Sequence, residues 1–151
     1  MNLDEYDGTL WLNGELVDWQ SAKTHVLAHG LHYASSVFEG ERAYNGMIFK
    51  HQQHTDRLFR SAALLDMSIP FTNKEIFDAG YAAVRARGVQ NGYVRPVVWR
   101  GAETMAISAH RTSVNVAVAA FEFGTYFDPT KKLEGISLGI PSYRRPPPAC
   151  M

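Results

Sequence analysis

The hydrophobic and polar residues of this chain follow two different periods, and the period of two occurs first. Asn13-Gly14 stands between two short runs of alternating residues, Thr9 to Leu12 and Glu15 to Val17. Asn-Gly is a strong hairpin signal, because both residues tolerate the positive φ of a tight two-residue turn. The two runs therefore predict a first antiparallel hairpin. Its apolar positions are Leu10, Leu12 and Leu16.

A second Asn-Gly pair, Asn45-Gly46, stands between Val37 to Tyr44 and Met47 to Phe49 and predicts a second hairpin. Strand side chains alternate between two faces, so the residues of the first run divide into two sets. One face carries Phe38, Gly40, Arg42 and Tyr44, and the other carries Val37, Glu39, Glu41 and Ala43. A strand face with an aromatic ring, a glycine and an arginine is typical of a pocket wall. A plain hairpin with Arg42 in solvent fits the same pattern.

The helical period of 3.6 residues occurs in the middle of the chain. His54 to Leu65 places four apolar residues on one helical face, with Arg57 in its first turn. The next helix begins with a capping box, Thr72-Asn73-Lys74-Glu75, and Gly88 is placed to end it. Both helices are therefore predicted to have a buried stripe. The stripe residues are Leu58, Phe59, Ala62 and Leu65 in the first helix, and Ile76, Phe77, Tyr81 and Val84 in the second.

Two further strands follow the helices. Tyr93 to Trp99 alternates, but Pro96 cannot donate to a ladder and predicts either an edge strand or a nearby bulge. After a loop from Gly101 to Thr112, Val114 to Phe123 is a long apolar strand. Asp18 to Ser36, between the hairpins, is predicted to be a loop with at most one helical turn. About six strands and two helices in the first 125 residues predict an α+β fold with a mostly antiparallel sheet.

The end of the chain differs from the rest in its pattern. Phe127 to Gly135, which includes Asp128-Pro129 and two lysines, is predicted to be a linker. Ile136, Leu138 and Ile140 then alternate as one more strand, and a lone strand needs a sheet to join. We therefore interpret residues 1–126 as a small domain and residues 136–151 as the start of a larger, incomplete one.

Composition and charge exclude several classes of partner. The 151 residues are 46% hydrophobic and have a net charge of zero, which is typical of a globular protein and gives no footprint for nucleic acid or an anionic membrane. The single cysteine, Cys150, cannot form an internal disulfide, and the N-terminus has neither the basic nor the apolar segment of a signal peptide. These features predict a protein of the reducing cytoplasm.

Two kinds of catalytic or binding site have little support in the sequence. His25, His29 and His32 have the spacing of metal ligands on one helix face, but Gly30 interrupts the helix and no acidic or cysteine partner lies nearby. Surface or hydrogen-bonded histidines fit the same residues. Nucleophilic catalysis, by Cys150 or by a serine and histidine pair, lacks any local signature.

A third kind of site, an anion-binding pocket, fits the residues better. Its candidate members are Arg42, Arg57 and Arg95 together with Tyr33, Tyr93 and Tyr126. The planar fork of arginine binds two oxygens of a carboxylate or phosphate at once. Arg57 fits equally well as a solvated charge. Arg95 lies in an apolar strand, where an unpaired guanidinium is costly to bury, so a ligand carboxylate or an internal acid such as Glu39 is expected to pair with it.

Four segments together resemble the branched-chain amino acid aminotransferases, which are class IV (fold type IV) enzymes that depend on pyridoxal phosphate. The segments are LHYASSVFEGERAY from residue 31, DRLFRSA from residue 56, YVRP from residue 93 and AAFEFGTY from residue 119. The resemblance runs from Trp11 to Arg145 and favours the branched-chain branch over other class IV transaminases. It implies a small, mostly antiparallel domain, a short linker and a larger barrel-like domain, with pyridoxal 5'-phosphate held between them.

The resemblance also implies a role for individual residues. Arg57 would bind the cofactor phosphate, and Arg95 would receive the distal carboxylate of glutamate with help from Arg42. Phe38, Gly40, Tyr93 and Tyr126 would line the pocket for the substrate. Tyr33 and Ile107 would reach into the site of a neighbouring subunit, because the family builds its active sites across a dimer interface. The implied partners are therefore branched-chain L-amino acids, 2-oxoglutarate and a second copy of the chain.

One element of the family pattern is missing. Amino transfer needs a lysine that forms a Schiff base with the cofactor, and none of the five lysines of this chain matches that position. The resemblance places it beyond Met151, so the chain alone is expected to be inactive and to be the N-terminal part of a longer enzyme. Two alternatives remain at this point: a related class IV transaminase with other substrates, and a non-catalytic module used for binding or dimerisation.

Overall fold

A computed structural model of the protein describes residues 2–124 and 127–147. The strands are β1 (Thr9–Leu12), β2 (Glu15–Asp18), β3 (Ser36–Phe38), β4 (Glu41–Tyr44), β5 (Met47–Ile48), β6 (Gly92–Arg100) and β7 (Val114–Glu122). The helices are α1 (His29–Tyr33), α2 (His51–Leu64), α3 (Asn73–Arg87) and α4 (Pro129–Glu134). Within the described residues the seven strands form one antiparallel sheet, so the predicted α+β fold is confirmed.

The sheet has the order β2-β1-β7-β6-β4-β5, and β3 also pairs with β6. Both Asn-Gly hairpins are confirmed, with Asn13 and Asn45 at positive φ. The second hairpin differs in one respect, because its first strand is interrupted at Glu39 and Gly40 and therefore forms two strands, β3 and β4. The described sheet thus has seven strands where the sequence predicts about six.

The prediction that Pro96 marks an edge strand is wrong. β6 lies inside the sheet, between β7 on one side and β3 and β4 on the other. Pro96 is tolerated there because it faces the interruption between β3 and β4, where its carbonyl accepts a hydrogen bond from the Glu39 backbone N–H at 3.0 Å. The missing N–H of proline therefore costs no ladder hydrogen bond, because the neighbouring strand is interrupted at this point.

One face of the sheet, which we call the helix face, packs against α2 and α3 and forms the core. It carries Val94, Pro96, Val98, Val116, Val118 and Ala120, all of which are buried. Leu58 and Ala62 of α2 and Ile76 and Val84 of α3 are buried against it. Trp11 of β1 joins this core through an edge-to-face contact with Phe71, at 5.0 Å between ring centroids.

Of the two long helices, α3 has the predicted ends and α2 begins earlier than predicted. α3 is confirmed: the capping box of Thr72 and Glu75 is formed, and Gly88 ends the helix at φ 63°. α2 begins at His51, one turn before the predicted start, because His51 is buried and bonded to the sheet and to α3. Arg57 therefore lies in the second turn of α2.

Two predicted core residues are exposed. Leu16 is 48% exposed because β2 is the edge strand of the sheet. Its cross-strand partner in β1, Trp11, is buried. Leu65 is 42% exposed because α2 ends before it, at Leu64.

Residues 127–147 pack little against the sheet. The predicted linker contains α4, which is capped by the Asp128 carboxylate and begins with proline. The strand predicted at Ile136, Leu138 and Ile140 is not formed, and these three side chains are exposed. A single alternating segment has no ladder partner in the described residues, which explains the difference. Among the helices of the described residues, none is long and apolar enough to span a bilayer.

Candidate functional site

The second face of the sheet, which we call the open face, is not covered by a helix over most of its area. Its side chains come from the alternate positions of the same strands that build the core. In β6 and β7 the open face carries Tyr93, Arg95, Val97, Trp99, Ala117, Ala119 and Phe121, all of which are half-buried. The aromatic and arginine positions that the sequence assigns to a pocket wall therefore share one surface.

Arg95 is held at the centre of this surface by two aromatic residues. Its Nη2 donates a hydrogen bond to the Tyr93 hydroxyl at 2.8 Å, and its guanidinium lies over the Phe38 ring at 4.1 Å from the centroid. Among the described residues no carboxylate forms an ion pair with Arg95. The sequence leaves open whether a ligand or Glu39 would neutralise Arg95, and Glu39 is bonded elsewhere. Arg95 is therefore a fixed cation with capacity for an anionic ligand.

Gly40 is at a position beside Tyr93 where a larger residue would have to displace the Tyr93 side chain. A Cβ atom built on Gly40 would overlap the Tyr93 hydroxyl oxygen and would lie 3.0 Å from its ring carbon Cζ. The absence of a side chain thus leaves room for the hydroxyl that anchors Arg95. Phe38 and Gly40, one on each side of Glu39, thus lie next to Arg95 and Tyr93 respectively on the open face.

Arg42 lies further along the open face. Its Nη1 donates to the Gly124 carbonyl at 3.2 Å, and its guanidinium lies 5.6 Å from the ring centroids of both Tyr44 and Phe123. This contact connects the second hairpin to the residues that follow β7. Tyr126, which the sequence assigns to the same pocket, lies outside the described residues.

An apolar cavity of about 350 Å³ adjoins Arg95 on the open face. Its walls include Leu10, Leu12, Leu31, Val97, Trp99 and Ala117. The cavity and Arg95 place an apolar volume and a fixed positive charge side by side. Such a pair can accept an aliphatic side chain and a carboxylate at neighbouring positions.

Arg57 lies on the opposite side of the second hairpin from Arg95. Its Nε and Nη2 donate to the two carboxylate oxygens of Glu39 at 2.6 and 2.5 Å, and His54 Nδ1 lies 2.8 Å from the same carboxylate. The Glu39 side chain is 3% exposed, whereas that of Arg57 is 59% exposed. A buried carboxylate therefore fixes an arginine that remains open to solvent, an arrangement that nothing in the sequence reveals.

The ionisation of Glu39 follows from these contacts. Burial raises the pKa of the Glu39 carboxyl, but hydrogen bonds and charges from Arg57 and His54 together lower it by more, so that its pKa lies below the ordinary value of 4.5. The same pairing raises the pKa of Arg57. At neutral pH the pair is therefore ionised, and the bidentate geometry is maintained.

We expect acid to weaken the protein partly through Glu39. Because its folded-state pKa is lowered, the pair contributes stability that is fully present above about pH 4.5 and is lost as the pH falls through the lowered pKa. Glu39→Gln removes this titration, so the free energy of unfolding should fall less steeply between about pH 5 and pH 3 than in the unchanged protein. Denaturant unfolding at a series of pH values measures both slopes. Parallel slopes would contradict the role given to Glu39.

Tyr33 and Ile107 do not join the Arg95 pocket of their own chain. They lie near the opposite end of β6, where the His29 backbone N–H of α1 bonds the Gly101 carbonyl at 2.8 Å. Tyr33 is 47% exposed and Ile107 is 83% exposed. Both side chains are thus presented on the surface of the chain, and their action on a neighbouring subunit stays a prediction.

The clustered histidines make separate hydrogen bonds and share no partner. His25 accepts from the Leu27 backbone N–H, and His32 bonds the Val26 carbonyl. His29 is buried and bonds Ser35 and Ile107. In the part of the chain that the structure describes, no group of three or more histidine, cysteine or acidic side chains is placed to hold a metal ion.

The chain belongs to the class IV amino-transferase family: residues 36–150 match the family model described as amino-transferase class IV. It is 43% identical over 149 residues to a branched-chain-amino-acid aminotransferase of Pseudomonas aeruginosa, and the match covers 96% of this chain and 48% of that protein. The resemblance to branched-chain aminotransferases is therefore confirmed. The chain spans about half the length of the curated relatives it matches.

Solved structures agree with this assignment. The branched-chain aminotransferase of Thermoproteus uzoniensis, crystallised with norvaline, has a TM-score of 0.87 and 34% identity, covering 97% of this chain and 50% of that one. The T.th. branched-chain amino acid aminotransferase, in complex with N-(5'-phosphopyridoxyl)-L-glutamate, has a TM-score of 0.74 and 40% identity, covering 78% and 41%. The antiparallel sheet and its two long helices are thus the fold of the N-terminal half of these enzymes.

Proposed function

We propose that this chain supplies the substrate-recognition domain of a pyridoxal-phosphate-dependent aminotransferase that exchanges amino groups between branched-chain L-amino acids and 2-oxoglutarate. The observation that carries the proposal is Arg95, a fixed cation without an acid partner among the described residues, next to an apolar cavity of about 350 Å³. The enzyme must accept leucine, isoleucine or valine and also glutamate. An apolar cavity serves the first three, and an arginine without an acid partner among the described residues serves the last.

The open face supplies the remaining contacts in this proposal. Tyr93 keeps Arg95 in one orientation, Phe38 packs against its guanidinium, and Gly40 leaves the space that Tyr93 needs. Arg42 supports the same end of the pocket from the hairpin, and the family resemblance adds a substrate-binding role for Tyr126. Because the binding geometry is fixed before substrate arrives, little conformational entropy is lost on binding.

The described residues fit the phosphate of the cofactor. Glu39 holds Arg57 by Nε and Nη2, and Nη1 forms no hydrogen bond with the described residues. The guanidinium is exposed, charged and oriented, which suits a phosphate oxygen. We therefore assign Arg57 to the phosphate of pyridoxal 5'-phosphate, whose pyridine ring, when bound, accepts the electron pair released at the substrate Cα. The complex of the T.th. enzyme with a phosphopyridoxyl group joined to glutamate supports both the cofactor and the acidic substrate.

The remaining parts of the active site come from outside this chain in our proposal. Residues 1–126 form the small domain, residues 127–135 the linker, and residues 136–151 the start of the larger domain. We expect another part of the enzyme to supply the Schiff-base lysine, and this chain covers 48% of the length of the Pseudomonas aeruginosa relative. Tyr33 and Ile107 act in the site of a second subunit, so the enzyme is at least a dimer. With one cysteine in the chain, a cytoplasmic location is consistent with this function.

The full-length protein that contains this chain tests the proposal. It is expected to bind pyridoxal phosphate with a visible absorbance band and to transfer the amino group of leucine, isoleucine and valine to 2-oxoglutarate. The 151-residue chain alone is expected to transfer none. Binding of the cofactor with turnover of other amines only would assign a different class IV transaminase. A full-length protein that binds no cofactor would contradict the proposal and favour a non-catalytic module.

A further inference from the structure

His29 is a buried histidine that contacts both of the residues proposed to act on the neighbouring subunit. It is 6% exposed. Its Nε2 lies 3.0 Å from the Ile107 carbonyl oxygen, and its ring lies 4.6 Å from the Tyr33 ring, between centroids. Tyr33 and Ile107 are 74 positions apart in the sequence, and His29 contacts both of them.

The hydrogen bonds of His29 define which ring nitrogen carries a proton. The Ile107 carbonyl can only accept, so Nε2 donates to it. Nδ1 lies 2.6 Å from the Ser35 hydroxyl, which can donate to it or accept from it. Because Ser35 Oγ holds the ring from the other side, the imidazole has one orientation. Its Nε2–H is therefore directed at the loop.

The loop around Ile107 depends on this one contact. The ends of the loop are fixed, since Glu103 bonds Ser113 and Arg100 Nη1 donates to the Ala109 carbonyl at 3.2 Å. Within the described residues, the bond to His29 is the only hydrogen bond made by residues 104–108. Met105 and Ile107 are 78% and 83% exposed, so apolar packing within the chain does not hold this segment either.

We propose that His29 is the positioning residue that holds Tyr33 and the loop of Ile107 in the orientation presented to the neighbouring subunit. The inference rests on the proposed function, in which Tyr33 and Ile107 complete the partner's substrate pocket. His29 itself touches no substrate. It acts by orienting one ring through a tilted ring contact and one backbone segment through a hydrogen bond.

The first test is made in the full-length protein and needs no catalytic assay. His29→Ala should increase the rate of thermolysin cleavage within residues 101–112 several-fold, because the segment loses its hydrogen bond. His25→Ala is the matched control, since His25 is an exposed histidine of the same region that contacts neither Tyr33 nor Ile107. Equal cleavage rates in the His29 variant and the unchanged protein would overturn the proposal.

The second test uses mixed dimers in which one subunit lacks the Schiff-base lysine, so that one active site remains. With His29→Ala on the lysine-less subunit, the remaining site receives Tyr33 and Ile107 from the altered chain. In this arrangement kcat/KM for leucine should fall on the order of tenfold or more. With His29→Ala on the lysine-bearing subunit, kcat/KM should stay near that of the unaltered mixed dimer. Equal losses in both arrangements, or no loss in either, would overturn the role of His29.

Two further variants separate the possible outcomes. His29→Gln retains a side-chain N–H that can reach the Ile107 carbonyl, so its loss should be smaller than that of His29→Ala and its fold should be intact. Tyr33→Ala in the same mixed dimers tests the proposed function alone. If its defect does not follow the lysine-less subunit, the shared active site is wrong. If the defect of Tyr33→Ala follows the lysine-less subunit and the defect of His29→Ala does not, only the inference about His29 fails.

Discussion

Replacing Arg95 with alanine is expected to reduce kcat/KM of the full-length enzyme for glutamate on the order of a hundredfold, and for leucine by less than about threefold. The difference arises because glutamate has a second carboxylate for Arg95 to bind, whereas leucine has none. Arg95 is anchored by the Tyr93 hydroxyl and the Phe38 ring, and within the described residues it has no acid partner. In that part of the chain no carboxylate competes with the substrate that we propose for Arg95.

Single-turnover reactions with each amino acid measure the two effects separately. Arg95→Lys is the informative companion variant, because it retains the charge but loses the planar fork. It should recover part of the activity with glutamate. If Arg95→Ala reduced the reactions with glutamate and leucine by the same factor, the residue would support the pocket as a whole rather than select the acidic substrate.

Removing one partner of the buried pair Glu41–His51 is expected to have the largest effect on stability. Glu41 Oε2 lies 2.6 Å from His51 Nδ1, and His51 Nε2 lies 2.9 Å from the Phe77 carbonyl, so both ring nitrogens face acceptors. The two side chains are 0% and 2% exposed and connect β4, α2 and α3. Glu41→Ala leaves His51 buried without its partner, and the free energy of unfolding should fall by about 3–5 kcal/mol.

The chain offers a matched control for this prediction. Lys74 and Asp78 form an ion pair of the same length, 2.6 Å, but their side chains are 82% and 56% exposed. Lys74→Ala should therefore change the free energy of unfolding by only a few tenths of a kcal/mol. Denaturant unfolding of both variants gives the comparison. Equal losses would show that burial of the Glu41 pair does not matter.

The fold can be predicted well where the signal is local. Both hairpins and α3 depend on residues within a few positions of each other, namely the Asn-Gly turns and the capping box, and all three are confirmed. The start of α2 escapes prediction because it depends on His51, whose partners Glu41 and Phe77 are 10 and 26 positions away. The edge prediction for Pro96 is wrong for the same reason, since the gap that it faces lies in a distant strand.

The candidate site shows the same division. Alternation along each strand correctly groups Phe38 with Gly40 and Arg42, and Tyr93 with Arg95. The structure adds that both groups lie on the same face of the sheet. The residue roles come from the family resemblance and remain predictions. Periodicity gives no sign of the pairing of Glu39 with Arg57 or of the contacts of His29, because these join elements whose relative placement only the fold defines.

The alternation along β6 has a consequence for how such enzymes diverge. Tyr93, Arg95 and Val97 lie on the open face, where we propose that substrate binds, while Val94, Pro96 and Val98 between them face the core. Selection for a new substrate and selection for folding thus act on neighbouring but separate positions of one strand. Substrate preference can change by substitution at every second residue while the positions that maintain the core are inherited unchanged.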